Sequence, residues 1–144
     1  MGIVNVTPDS FSDGGVHFDA EAAIRSALAM VEAGADILDV GGESTRPGAE
    51  SLPIDEELRR VAPVIEAIAR RANVPISIDT YKAGVAERAL DLGATIINDI
   101  SALAYDPGLA GVAARRKAPV ILMHNRGRSA KMYEFAEYGD VVAD

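Results

Sequence analysis

At 144 residues the chain suits one modest domain or part of a larger one. Its 49% hydrophobic and 25% charged residues exclude a disordered chain, and 14 Lys and Arg against 22 Asp and Glu argue against sequence-independent nucleic-acid binding, which needs clustered cations. Cysteine is absent and histidine occurs twice, which excludes disulfides, thiolate metal sites, cysteine nucleophiles and a three-histidine zinc centre. In chain order, the first predicted element is a strand over residues 2–6. A long connection from Asn5 to Phe18 follows, carrying Thr7, Asp9, Ser10, Ser12, Asp13 and Gly14-Gly15. Ile24, Leu28 and Val31 then recur at helical spacing, with Asp19 placed to cap that helix and Gly34 to end it. A second strand covers 36–40, and a second long connection, 42–53, carries Ser44-Thr45-Arg46-Pro47-Gly48. Leu58, Val61, Ile65 and Ile68 make the next helical stripe, in which Pro63 should mark a kink or the true start. Strands over 75–78, 94–97 and 118–123 alternate with helices carried by Val85, Ala89 and Leu92 and by residues 109–116, with Gly93 ending the former. A fifth helix is expected to begin near Glu137.

Each strand is a short, nearly continuous Val- and Ile-rich run, as expected of parallel strands covered on both faces. Strict alternation of strand and helix predicts a parallel sheet with right-handed crossovers, either open and doubly wound or part of a (β/α)8 barrel. No GxGxxG follows the first strand, which favours the barrel. No apolar run approaches the roughly 20 residues that span a bilayer. The start has no basic segment followed by an apolar one, so a soluble cytoplasmic protein is expected.

The informative pattern lies where the strands end. The five runs lead into Asn5, Gly41-Gly42-Glu43-Ser44-Thr45-Arg46, Asp79-Thr80, Asn98-Asp99 and His124-Asn125-Arg126. Parallel strands deliver such ends to one edge of the sheet, where barrel enzymes build their sites. Asp, Asn, Ser and Thr at these places could simply cap the following helices. Capping fits Asp79 and Asn98 poorly, because each lies inside or directly on the end of its strand. A carboxylate there needs a partner, and a ligand with a planar donor edge would supply one. The two long connections exceed the usual two to six residues, as active-site loops do. Arg46 among hydroxyls suits a phosphate or diphosphate, against the plainer reading of a solvated loop cation.

These residues resemble a known family. Asn5-Val6-Thr7-Pro8-Asp9-Ser10-Phe11-Ser12-Asp13-Gly14-Gly15 is similar to the first signature of dihydropteroate synthase, and Asp39-Val40-Gly41-Gly42-Glu43-Ser44-Thr45-Arg46-Pro47-Gly48 to its second. Ser77-Ile78-Asp79-Thr80-Tyr81-Lys82, Ile97-Asn98-Asp99-Ile100 and Leu122-Met123-His124 resemble the third, fourth and fifth strand ends, in order along essentially the whole chain. The resemblance implies a (β/α)8 TIM barrel, with residues 1–144 forming the N-terminal part, about five β/α units, of a single pterin-binding domain. It implies condensation of 6-hydroxymethyl-7,8-dihydropterin diphosphate with p-aminobenzoate to 7,8-dihydropteroate and diphosphate, with diphosphate leaving before the arylamine attacks. Carried over by position, Asp79 and Asn98 would bind the pterin ring, with Ile100 and Met123 packing near it. Thr45 would contact substrate, and Phe11 and Pro47 would shape the p-aminobenzoate pocket. Arg46, Asp9 and Asp13 would be the catalytic residues, and Asn5 would ligate Mg²⁺ on the diphosphate.

The same resemblance implies sulfonamides as competitive ligands, no nucleic-acid or membrane partner, and a homodimer at full length. The family's later strands supply a further aspartate, a lysine and an Arg-x-His pair, so residues 1–144 by themselves are expected to be incomplete for catalysis. Asn125-Arg126-Gly127 departs from the Met-Gln-Gly often found after that histidine. Two other readings stand beside this one. A pterin-dependent methyltransferase has a related barrel, but Ser44-Thr45-Arg46-Pro47-Gly48 fits the synthase. A non-catalytic pterin-binding fragment would have to cover its open strand edges with another chain.

Overall fold

The computed structural model describes residues 1–7, 16–44, 51–124, 139–140 and 142. Five strands, β1 (Gly2–Asn5), β2 (Leu38–Gly41), β3 (Ile76–Asp79), β4 (Ile96–Asp99) and β5 (Val120–Leu122), alternate with four helices, α1 (Val16–Glu32), α2 (Ile54–Arg71), α3 (Ala83–Asp91) and α4 (Leu109–Arg116). The strands form one sheet in the order β1-β2-β3-β4-β5, and every neighbouring pair is parallel. This is the alternating, parallel architecture that the sequence predicts.

Side chains alternate across a strand, so the register divides the sheet into two unlike faces. On one face Leu38, Val40, Ile76, Ile78 and Ile97 are fully or almost fully buried with Val61, Val64, Ile65, Ile68 and Val85 of the helices. That is the hydrophobic core. The other face carries Asn5, Asp39, Gly41, Ser77, Asp79 and Asn98, with Ile3 and Ile121 61% and 39% exposed. The nearly continuous Val- and Ile-rich runs are interrupted on this face, where Asp39 and Ser77 each stand singly among apolar neighbours.

The strands begin one or two residues later than hydropathy suggests at β2, β3 and β4, so Asp79 and Asn98 fall within paired backbone. Helix α1 starts at Val16, so Asp19 lies inside it rather than at its cap. Helix α2 starts at Ile54 and runs through Pro63, which is exposed. Pro63 neither starts nor ends the helix, because three acidic residues in the first turn and five buried side chains outweigh one missing N–H. The expected terminal glycines hold: Gly34 and Gly93 have φ of 98° and 117°. At Gly93 a Cβ would also lie 2.6 Å from that of Ala69, so the position excludes a side chain on two counts. The expected helix near Glu137 lies outside the described residues.

Candidate active site

The strand register aligns Asn5, Gly41, Asp79, Asn98 and Ile121 in one row across the C-terminal end of the sheet. Gly41 leaves a gap in that row. A Cβ there would approach the Asp79 side chain to 3.3 Å, so the missing side chain gives the carboxylate its space. Asp79 and Asn98, the two residues expected to grip a ring, are therefore direct neighbours on adjacent strands. Asn5 stands two strands from Asp79 and is exposed.

One layer below, Asp39 is almost wholly buried and accepts two hydrogen bonds, from Ser77 Oγ at 2.5 Å and from Asn98 Nδ2 at 3.0 Å. Both its oxygens are thus occupied from within the protein. Asp79 is different. Its Oδ1 is buried with no hydrogen-bond partner among the described residues. Burial, then the negative charges of Asp39, Glu57, Asp99 and Glu43, push the Asp79 carboxyl up to about 7. A strand-end carboxyl held near neutrality, with a lone pair facing no protein donor, is a group arranged for a ligand.

Asp99 faces the other way and fixes the connection after β4. Its carboxylate accepts the Ser101 N–H and O–H, both at 2.8 Å, and the Leu103 N–H at 2.6 Å. Those bonds hold Ala102 and Leu103 at φ of 51° and 66°, the left-handed region that non-glycine residues rarely adopt. The turn leaves Ile100 buried outside the main core cluster, two residues after Asn98 in sequence.

A second polar cluster lies behind the row. Lys82 Nζ is 2.5 Å from both Glu43 Oε2 and Glu57 Oε2. Glu43 also accepts the Leu52 N–H at 2.7 Å and the Tyr81 O–H at 2.8 Å, and Arg60 donates to the Gly42 carbonyl at 3.0 Å. Burial works against the Lys82 charge, but the bonds to Glu43 and Glu57 outweigh it and raise the ammonium's pKa. Glu43 and Leu52 flank residues 45–50, so this cluster ties together the two ends of the connection that carries Thr45 and Arg46.

Of the expected site residues, Asn5, Asp79, Asn98, Ile100 and Met123 are brought to the C-terminal edge of the sheet. Met123 is 40% exposed just beyond β5, its N–H bonded to the Asp99 carbonyl. Asp9, Phe11, Asp13, Thr45, Arg46 and Pro47 lie outside the described residues. Sequence reasoning passed over Asp39, Ser77, Glu43 and Lys82 as site residues. The available signal was a charged residue within an apolar strand run, which at Asp39 marks a buried carboxylate in need of donors.

The whole chain, residues 1–144, matches the family described as pterin binding enzyme. The chain belongs to the pterin-binding enzyme family. A dihydropteroate synthase of Synechocystis is 50% identical over 144 residues, covering 100% of this chain and 50% of that protein. The crystal structure of the Clostridium difficile dihydropteroate synthase in the presence of pteroic acid superposes with a TM-score of 0.88 at 49% identity, covering 99% of this chain and 51% of the other. The Yersinia pestis synthase in complex with a sulfonamide drug gives a TM-score of 0.89 at 48% identity, with 99% and 51% covered. This member of the pterin-binding family therefore spans about half the length of the curated relatives it matches. Its five parallel strands and four described helices match part of a (β/α)8 barrel. Among the described residues no helix is long and apolar enough to cross a membrane.

Proposed function

We propose that this chain is the pterin-binding half of a dihydropteroate synthase, which joins 6-hydroxymethyl-7,8-dihydropterin diphosphate to p-aminobenzoate and releases diphosphate. The single observation that carries the reading is Asp79, with a buried, partnerless oxygen beside Asn98 in a barrel interior of matching family. The ring's N–H donors satisfy that oxygen, and the Asn98 carboxamide extends the same polar edge. Diphosphate departure leaves positive charge on the pterin. The carboxylates that raise Asp79 (Asp39, Glu57, Asp99 and Glu43) form an acidic surrounding that favours that charge. The arylamine then forms the new C–N bond and loses a proton. Arg46, carried by the connection between Glu43 and Leu52, receives the departing anion with Thr45. Phe11 and Pro47 shape the p-aminobenzoate side, where sulfonamides compete, and Asp9 and Asp13 act with Arg46 as catalytic residues. A cytoplasmic homodimer is part of the same reading.

The Asn5 carboxamide suits Mg²⁺ as one oxygen ligand. Asn5 offers one exposed carboxamide oxygen at the C-terminal end of β1, and among the described residues no group of three His, Cys, Asp or Glu could hold a metal ion. One protein oxygen completed by water and substrate phosphate is how Mg²⁺ is commonly held. When bound it neutralises charge on the leaving diphosphate. Asn5→Ala should raise the magnesium concentration for half-maximal rate by about tenfold, as loss of one weak ligand does. An unchanged magnesium titration would remove Asn5 from the metal.

The reading as a whole is tested with protein expressed from its complete reading frame, dihydropterin diphosphate, p-aminobenzoate and Mg²⁺. Formation of dihydropteroate and diphosphate in equal amounts supports it. A folded protein that binds the pterin but forms no product would make the site a binding one and overturn the synthase assignment.

A further inference from the structure

We infer that Asp39 is a positioning residue that fixes which way round the Asn98 carboxamide faces the bound ring, and so sets the site's choice between a 2-amino and a 2-oxo pteridine. The inference rests on the reading that this site binds a pterin.

Asp39 stands outside the row of strand-end residues. It lies one layer below the row and is 5% exposed, with its oxygens taken by Ser77 Oγ and Asn98 Nδ2. An ionised carboxylate can only accept. The Asn98 amide must therefore turn its NH₂ toward Asp39, because the reversed rotamer would set carbonyl oxygen against carboxylate oxygen. Ser77 holds Asp39 from the opposite side, and Ser77 is itself fully buried, so the carboxylate has nowhere to swing. Asn98 has two N–H donors and one carbonyl. With one N–H committed to Asp39, it offers the ligand one N–H and, beside it, one acceptor oxygen.

The complement of that pair is a ring nitrogen lone pair next to an exocyclic amine, the arrangement at N1 and C2 of a 2-amino-4-oxopteridine. The 2-oxo counterpart reverses it, presenting N1–H next to a carbonyl. Against an Asn98 held by Asp39 it places donor against donor and acceptor against acceptor. Both mismatches would lie in a buried site, where unpaired polar groups are costly. Without Asp39 the carboxamide could rotate by half a turn and accept either ring.

The test measures equilibrium binding of 6-hydroxymethyl-7,8-dihydropterin and of its 2-oxo analogue, 6-hydroxymethyl-7,8-dihydropteridine-2,4-dione, to the protein from its complete reading frame. The wild-type protein should prefer the 2-amino ring by about 100-fold or more, and Asp39→Asn should cut that ratio by at least about tenfold, since its own amide can accept or donate. The ratio is the readout because a loss of charge or of general order weakens both ligands together. A folded Asp39→Asn protein with the wild-type ratio overturns the inference while leaving the pterin reading intact. A wild-type protein that binds neither ring removes the pterin reading and the inference with it. A measurement on the wild-type protein needs no variant to fold: the Asn98 side-chain proton that Asp39 accepts should be protected from solvent exchange. Rapid solvent exchange of both Asn98 side-chain protons would also overturn it.

Discussion

Replacing Asp79 by Asn should cost the protein its pterin while making the ligand-free fold more stable. Binding should fall by about 100-fold or more, because a buried charge-assisted contact is replaced by an amide that cannot accept at both oxygens. Stability moves the other way. The Asp79 carboxyl is raised from 3.8 to about 7 in the folded chain, so between those values the folded state keeps a proton that the unfolded state has lost. Its favourable contribution is therefore full below pH 3.8 and disappears as pH rises through about 7. Asn does not titrate, and Asp79→Asn should gain on the order of 2–4 kcal/mol at pH 8, and less at pH 5. Affinity follows the same group. Ring donors need the ionised carboxylate, so wild-type affinity should drop about tenfold per pH unit below the Asp79 value, with no such slope in Asp79→Asn. Calorimetric titration with 6-hydroxymethyl-7,8-dihydropterin, paired with thermal denaturation at both pH values, measures both effects. A variant that binds at wild-type affinity would remove Asp79 from the site.

Lys82→Met should be among the most damaging single substitutions for stability. It leaves Glu43 and Glu57, whose side chains are 10% and 1% exposed, without the cation between them. Breaking a buried ion network from one side typically costs about 3–5 kcal/mol, because the remaining charges stay buried. Burial opposes the Lys82 charge, yet its two carboxylate bonds raise its pKa above 10.5, so its contribution is present below that value and is lost only as pH climbs through the folded value. The double substitution Lys82→Met with Glu57→Gln should recover part of the loss by removing one of the stranded charges. Denaturant unfolding at neutral pH would show it. A loss under about 1 kcal/mol for Lys82→Met would mean that the cluster is solvated and not a structural tie.

How far the sequence foretells these features depends on the range of the interactions involved. The alternation of strand and helix was legible because each apolar run and each stripe is local, and parallel pairing follows from the crossovers. Asp79 and Asn98 stood out for the same reason: a polar residue on the end of an apolar strand is a one-dimensional signal. Asp39 was only one charged residue inside an apolar strand run. Its importance lies in partners 38 and 59 residues away, Ser77 and Asn98, which no local pattern brings together. The Lys82 cluster was hidden likewise, since its carboxylates come from the end of β2 and from α2. Pro63 left two local readings open, a kink or the helix start, and the buried stripe of Val61, Val64, Ile65 and Ile68 in a helix that begins at Ile54 excludes the second.

The most direct measurement is a crystal structure of the protein from its complete reading frame with 6-hydroxymethyl-7,8-dihydropterin bound. The ring should lie on the face of the sheet that carries Asp79 and Asn98, with a ring N–H about 2.7–3.1 Å from Asp79 Oδ1. The Asn98 NH₂ should still donate to Asp39, with its second N–H directed at ring N1. A ring bound elsewhere, or an Asp79 oxygen that faces no ligand donor in the occupied site, would contradict the account.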